Sequence, residues 1–300
     1  MFGVTILGNN SALPAYDRHP TSQVVTLNDQ VLMIDCGEGT QMQLSRYKIR
    51  RSRINHIFIS HLHGDHYFGL PGLITSLGLL GRENPLNIYG PAQLEGIIMP
   101  LLNAAEAHLP YQLIFNAITT EGVLLDTEKF LVECFPVIHR IECWGFLIKE
   151  KRKPRKINKE TIGRYNIPTS FYERLKDGED YTDENGETVK NDKVTIANAA
   201  GKSYAYCADT LYNEEMTAKI QNVNLLYHEA TYLKILEQKA AERFHSTSVQ
   251  AGKIAQLAHA KRLIIGHFSS KYETLDDFLT ETREAFPNTQ LALEGVTYLV

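Results

Sequence analysis

Six consecutive residues, HLHGDH at positions 61–66, place three imidazoles and a carboxylate at the end of the apolar run HIFIS. Imidazole nitrogen and carboxylate oxygen are ligands that suit zinc. His61 and His63, two apart, project to the same side of an extended backbone. Gly64 permits a sharp turn that lets Asp65 and His66 face a second point nearby. The segment can therefore divide its ligands between two metal ions. A polar loop with coincidental histidines is the competing reading, and four ligand-type residues in six positions weigh against it. His139 ends FLVECFPVIH, Asp209 ends SYAYCAD and His267 ends RLIIGH. One such residue after a strand is usually a cap or turn residue. Three of them, in a chain that also carries HLHGDH, point to one site. A carboxylate such as Asp209 can bridge two ions, and paired ions can clamp both oxygens of a phosphoryl displacement.

The elements that must position these groups alternate between strand and helix patterns. VTILG, QVVTL, VLMIDC, HIFIS, LNIYG, QLIFNAI, FLVECFPVI, SYAYCAD, NLLYHEA and RLIIG read as strands, and QLALEGVTYLV reads as a closing strand. Helical spacing marks TQMQLSRYK, GLPGLITSLGLL, PAQLEGIIMPLLNAAEA, STSVQAGKIAQLAHA and TLDDFLTETREAF. Two strand-rich halves, each with helices, predict two sheets packed face to face with helices outside. Residues 151–193 break the pattern, with few aliphatics, many charges and the turn signals KDG and ENG. This segment reads as an inserted, protruding and flexible arm in an otherwise single domain spanning 1–300.

Composition narrows the function. The net charge of −4 predicts no polyanion partner by itself. RYKIRRSR carries Arg46, Lys48, Arg50, Arg51 and Arg53, while KRKPRKINK carries Lys151, Arg152, Lys153, Arg155, Lys156 and Lys159. Without those eleven residues the remainder would carry −15. Basic charge is thus concentrated locally, where it can attract a phosphate backbone; solvated surface lysines are the bland alternative. Cys36, Cys134, Cys143 and Cys207 lie in apolar runs without CxxC spacing, which predicts buried reduced thiols in a cytoplasmic protein. A thiolate ligand at Cys207 is the minor reading. MFGVTILGN reads as a strand, and no signal peptide or transmembrane helix is expected.

HxHxDH followed by separated His, Asp and His resembles the metallo-β-lactamase superfamily. TILGNNSALP, RHPTS, DCGEGTQ, HLHGDHYFGLPGL, IYGP, HEAT (228–231), HST (245–247) and GHFS resemble one branch of it, tRNase Z (ribonuclease Z). The resemblance implies an α/β metallo-β-lactamase αββα sandwich with the arm as a tRNA-binding exosite. It implies two Zn²⁺ per chain, with His61, His63 and His139 on one, Asp65, His66 and His267 on the other, and Asp209 bridging. Asp65 would also accept the proton of the attacking water. Glu229 and His245 would form a proton-donating pair; their bland roles are a buried partner for a backbone amide and the residue before a helix cap at Ser246 or Thr247. Asp35 matches a position that orients ligands, with capping of the turn into helix 40–48 as the alternative. One departure stands out. Members often carry P-x-K-x-R-N near the start, and here PAYDRH puts Tyr16 and His19 at the lysine and asparagine positions.

The expected activity is zinc-dependent endonucleolytic removal of the 3′ trailer from precursor tRNA, leaving a 3′-hydroxyl, by a cytoplasmic homodimer. A small-molecule phosphodiesterase or other metallo-hydrolase of the same fold would keep the site and change the substrate. The basic arm argues against it. A non-catalytic, zinc-containing RNA-binding protein would instead favour a closed, cysteine-rich ligand set.

Overall fold

The computed structural model describes residues 1–151 and 154–300, so Arg152 and Lys153 lie outside the described residues. The β-branched and aromatic runs form strands. In chain order these are β1 (Phe2–Gly8), β2 (Ser22–Leu27), β3 (Gln30–Cys36), β4 (Ile54–Phe58), β5 (Leu86–Pro91), β6 (Leu113–Ile118), β7 (Gly122–Asp126), β8 (Phe130–Pro136) and β9 (Trp144–Glu150). Four two-residue strands follow: β10 (Lys156–Ile157), β11 (Tyr181–Thr182), β12 (Thr188–Val189) and β13 (Thr195–Ile196). The last five are β14 (Ser203–Cys207), β15 (Leu225–Glu229), β16 (Leu263–Gly266), β17 (Thr289–Leu291) and β18 (Thr297–Leu299).

Two seven-stranded sheets result, in the orders β18-β1-β2-β3-β4-β5-β6 and β17-β16-β15-β14-β9-β8-β7. Both are mixed. β1 to β3 pair antiparallel and β3 to β6 parallel. β14 to β17 are parallel, and β7 pairs antiparallel with β8. The parallel strands are buried on both faces, which explains the unbroken apolar runs LLY in β15 and LII in β16. Aromatic residues fill the space between the sheets, with Phe58 of β4 5.6 Å from Phe146 of β9. Polar ties cross it as well. Tyr204 Oη of β14 donates to Gln23 Oε1 of β2, and Tyr206 Oη donates to Asp35 Oδ2 of β3 at 2.6 Å.

Helices cover the outer faces. α1 (Thr40–Arg46), the single turn α2 (Gly64–Tyr67), α3 (Leu70–Leu79) and α4 (Gln93–Ala104) follow strands of the first sheet. Leu44, Leu73, Ile74, Leu77, Leu94 and Ile98 from α1, α3 and α4 form one buried cluster with Met33, Ile57 and Ile88. Further along the chain, α5 (Tyr172–Lys176) and α6 (Asn191–Val194) lie between residues 149 and 202, and α7 (Glu237–Glu242), α8 (Ser248–Leu257) and α9 (Asp276–Ala285) follow, the last two packing on the second sheet. A capping box opens α8, with Thr247 accepting from the Gln250 backbone and Gln250 returning a bond.

Chain contacts separate two compact units, Met1–Asp126 with Leu131–Ile148 and Ser203–Val300, and Lys149–Lys202 with Thr127–Phe130. The second unit contains the sequence-predicted arm but is wider than 151–193. It has its own small core of Ile162, Ile167, Leu175 and Val194. Asn191, buried there, donates to the carbonyls of Leu175 and Glu179 at 2.7 and 2.8 Å. Four widely spaced aliphatics and one buried amide thus close a core that composition alone left open. The closing segment also differs from its single-strand reading. Residues 289–299 split into β17 and β18, in different sheets, turning at Gly295 with φ 78°.

Candidate active site

Every predicted metal-ligating residue follows the end of a strand. His61–His66 come after β4, His139 after β8, Asp209 after β14 and His267 after β16. Loops from both sheets therefore meet at one place. His63 keeps extended backbone, and Gly64 starts the turn α2 that carries Asp65 and His66. His267 and Asp35 sit at φ 60° and 55°, in the left-handed region that costs a residue with a Cβ about 1 kcal/mol or more. The surrounding contacts hold both there.

Two groups form. His61 Nε2 and His139 Nε2 each lie 3.1 Å from His63 Nδ1, and Asp209 Oδ2 lies 3.6 and 3.8 Å from the two Nε2 atoms. In the second group His66 Nε2 and His267 Nε2 are 3.3 Å apart. Asp65 Oδ2 is 3.5 and 3.4 Å from them, and Asp209 Oδ1 is 3.4 and 3.1 Å from them. Asp209 thus turns one oxygen to each group. Its buried Oδ1 has no hydrogen-bond partner among the described residues. The residue types, the spacing and the two groupings are compatible with metal binding.

The rear nitrogens explain why the front ones converge. Ser60 Oγ donates to Asp35 Oδ2 at 2.9 Å, so towards His61 Nδ1 at 3.0 Å it accepts. Thr231 Oγ1 likewise donates to Glu229 Oε2 at 2.7 Å and accepts from His267 Nδ1 at 2.9 Å. His66 Nδ1 donates to Asp35 Oδ2 at 2.8 Å, and His139 Nδ1 donates to the Phe244 carbonyl at 2.9 Å. Four imidazoles are therefore fixed as Nδ1–H tautomers with their Nε2 lone pairs facing inward. Lone pairs and carboxylates packed this closely repel unless a cation lies among them. That arrangement fits a resident metal.

Charge points the same way. Burial opposes ionisation of Asp209, but His267 and His66 outweigh it and hold its pKa well below the usual range. Asp65 is also driven below that range against its burial, chiefly by His66 and His267. Burial would lower His66, yet Asp209, Asp65 and Asp35 raise it well above the ordinary value, so that without a metal a proton on Nε2 takes the cation's place. For His63, burial and His139 outweigh Asp209 and Asp65, and its pKa falls to about 4.

Glu229 and His245 stand beside this centre. Glu229, fully buried at the end of β15, accepts from Thr210 N and Thr231 N at 3.0 Å each and from His245 Nδ1 at 2.8 Å. It is both a backbone-amide partner and the anchor of the imidazole. Burial would lower the His245 pKa, but the charge and hydrogen bond of Glu229 raise it to about 9. The cap of α8 is Thr247. The third group of possible ligands, Glu229, His245 and His267, shares its atoms with these hydrogen bonds.

Both groups open onto a cavity of about 630 Å³. Leu13, Phe68, Arg140, Lys239 and Arg243 line it together with His63, Asp65, Asp209 and His245. Asp35 does not cap α1, whose N-cap is Gly39. It ties Ser60, His66 and Tyr206 together instead. Sequence reasoning missed Ser60, Thr231, Tyr206 and the Phe244 carbonyl. Thr231 belongs to the HEAT motif and could have been marked there; the others carry no local signal. Cys207 is buried and free, its thiol pushed up by burial, and it belongs to neither group.

The basic residues are placed differently. Arg46, Lys48, Arg50 and Arg53 are exposed, with Arg46 3.4 Å from Asp17, and Arg51 donates to Ser45 Oγ at 2.6 Å. Arg50 and Arg51 line a separate cavity of about 500 Å³ over Ile49, Leu77 and Leu80. Lys151, Arg155, Lys156 and Lys159 belong to the inserted unit. There Arg155 lines a cavity of about 800 Å³ with Lys176 and Lys190, but its Nε is engaged by Thr195 and Lys190 pairs with Asp180. That larger cavity lacks the convergent imidazoles of the first. PAYDRH is tied down by His19 Nδ1 against Glu294 at 2.9 Å and by Arg18 on the carbonyls of Tyr272 and Glu273.

Comparison with known proteins agrees with this geometry. A family model described as anti-Pycsar protein Apyc1 matches residues 2–148. Ribonuclease Z of Parabacteroides distasonis is 45% identical over 98% of both chains, and that of Cytophaga hutchinsonii is 42% identical over all of this chain and 96% of its own. The crystal structure of human tRNase Z, short form, superposes with a TM-score of 0.72 at 26% identity, covering 99% of this chain and 98% of that one. The metallo-β-lactamase fold protein YhfI from Bacillus subtilis shares the fold, with a TM-score of 0.70 at 19% identity over 99% and 98% of the two chains. With such identities to curated relatives sustained from end to end, the chain belongs to the ribonuclease Z family.

Proposed function

We propose that this endoribonuclease removes the 3′ trailer of precursor tRNA by zinc-dependent hydrolysis, with two ions held by the residues described. The observation that carries the reading is the divided carboxylate of Asp209, one oxygen towards each imidazole group and Oδ1 without another partner. His61, His63, His139 and Asp209 would hold one ion, and Asp65, His66, His267 and Asp209 the other. Zinc bound there lowers the pKa of a water towards neutrality and offsets charge on phosphoryl oxygens.

The side chains supply the rest. Asp65, ionised at neutral pH, accepts the proton of the attacking water; the Ala12 amide, donating to Oδ2 at 2.8 Å, helps to fix the carboxylate. His245, kept protonated by Glu229, donates to the departing 3′-oxygen, which is a poor leaving group while anionic. Arg140, Lys239 and Arg243 line the cavity and draw in the phosphodiester. The exposed basic residues Arg46, Lys48, Arg50 and Arg53, with Arg51, and the basic root of the inserted unit bind the RNA backbone electrostatically. A cytoplasmic homodimer completes the proposal; sedimentation velocity checks the dimer, and four buried free thiols suit a reducing compartment.

Removing metal with a chelator and adding zinc back to purified protein tests this reading. The expected result is two zinc ions per chain and trailer cleavage that disappears and returns with them. Full cleavage by metal-free protein would reject it.

A further inference from the structure

We infer that Phe68, with Leu13 beside it, forms a subsite that stacks the nucleobase on the trailer side of the scissile phosphate. The inference rests on the ribonuclease reading above. Phe68 and Leu13 are 62% and 61% exposed, yet both line the cavity that holds Asp65 and His245. Isolated exposed apolar residues are common on protein surfaces and mean little alone. These two stand on backbone that is pinned next to the reacting groups. A methyl group on Gly64 would lie 2.2 Å from the Phe68 ring, so the ring is seated against the backbone one residue before Asp65. Tyr67 flanks it edge-on at 5.0 Å, and the Phe68 amide closes α2 by donating to the Gly64 carbonyl at 2.9 Å. On Leu13's side, the Ala12 amide is bonded to Asp65 Oδ2, and the Ser11 amide donates to the Phe268 carbonyl at 2.9 Å.

The cavity's walls divide by origin. Leu13, Pro14, Gly64, Asp65 and Phe68 come from segments that follow strands of the first sheet, whereas Tyr232, Lys239, Arg243 and His245 come from the segment after β15. In-line displacement sets the attacking water, served by Asp65, opposite the leaving 3′-oxygen, served by His245. The tRNA's terminal nucleotide carries that leaving oxygen and so occupies the His245 wall. The trailer's first nucleotide stays on the phosphorus through its own 5′-oxygen and is left with the apolar wall. An aromatic face accepts any base, since stacking does not read hydrogen-bonding groups. The subsite would hold the first trailer base without selecting its identity.

The test uses the zinc-loaded full chain, a minimal precursor RNA (an acceptor-stem hairpin with a short trailer) and Phe68→Ala. Three RNAs are compared: intact, abasic at the first trailer nucleotide, and abasic at the last tRNA nucleotide. Melting temperature and zinc content should match wild type, because the side chain is mostly exposed. The expected result is a loss of kcat/KM of about tenfold for Phe68→Ala on intact RNA, a similar loss for wild type on the trailer-abasic RNA, and no further loss when the two are combined. Phe68→Trp should restore the rate on intact RNA. Equal losses for the variant on intact and trailer-abasic RNA, or no loss at all, would overturn the subsite. A loss that vanishes only on the tRNA-abasic RNA would overturn the trailer-side assignment. Wild type that leaves intact precursor uncut would overturn both this inference and the function beneath it.

Discussion

The imidazole–carboxylate centre and the basic segments make opposite demands on the backbone. At the centre, distances near 3 Å decide the chemistry, so each of His61, His66, His139 and His267 is held from behind by a second residue. The basic side chains act through fields that fall off over a Debye length of about 8 Å in physiological salt, and four of the five in RYKIRRSR are exposed. Rigid positioning is concentrated where bonds change, and charge is spread where only attraction is needed. Substitutions at the centre should therefore act steeply on the chemical step. Substitutions in the basic segments should act gradually on binding and vary with salt.

The steepest effect is expected at Asp209. Removing the carboxylate shared by both groups should release bound zinc and lower turnover by about 10³-fold or more, as metal ions supply several kcal/mol of charge stabilisation. Metal analysis beside the assay checks this, and two zinc ions with near-normal turnover in Asp209→Ala would remove the bridge. His245→Ala should keep its zinc and RNA affinity and lose about 10²–10⁴-fold in cleavage rate. The loss should shrink on a phosphodiester with an acidic phenol as leaving group, which needs no proton. An equal defect on both substrates would end the proton-donor role.

A matched pair of tyrosines sharpens the contrast within the core. Tyr204 and Tyr206 are both fully buried on β14 and both tie the two sheets, but only Tyr206 reaches Asp35 and, through it, His66. Tyr206→Phe should weaken zinc binding, by less than the about 10–100-fold seen for direct partners of metal ligands. Tyr204→Phe should cost similar stability and leave zinc affinity alone. Competition titrations with a chromophoric chelator, run beside thermal melts, separate the two; equal zinc affinity in both variants would reduce Tyr206 to packing.

The smallest effect per residue is expected in the basic segments. Reversing Arg50 or Lys156 should weaken precursor binding and flatten the plot of log affinity against log salt by about one unit per lost phosphate contact. Hydrolysis of a small chromogenic phosphodiester should be untouched. A larger cut has to respect the inserted unit. Deleting only 151–193 would strand Val194 and β13 without their partners, so a linker from Ile148 to Ser203 is the informative deletion. It should impair precursor processing and spare the small substrate.

Much of this was legible in the sequence because strand-end ligands announce themselves by type. HLHGDH, His139, Asp209 and His267 each follow a short apolar run that reads as a strand. The supporting residues were not legible, because their roles depend on contacts distant in sequence. Phe244 contributes only a carbonyl, 105 positions from His139. Tyr206 meets Asp35 across 171. The left-handed backbone at Asp35 and His267 leaves no mark in residue type. GVLLD and WGFLIKE, the strands β7 and β9, went unread, since short apolar runs beside polar ones give no clear period. QLALEGVTYLV alternates as one strand would, and only Gly295 hints at the turn between two sheets.

The central claim is hydrolysis of a precursor's phosphodiester by an activated water, with the 3′-oxygen leaving protonated. Cleavage of a precursor tRNA in ¹⁸O-water, with both product ends analysed by mass spectrometry, tests it directly. The account predicts a 3′-hydroxyl on the tRNA and one ¹⁸O on the 5′-phosphate of the trailer. A 2′,3′-cyclic phosphate on the tRNA, or an unlabelled trailer phosphate, would contradict it.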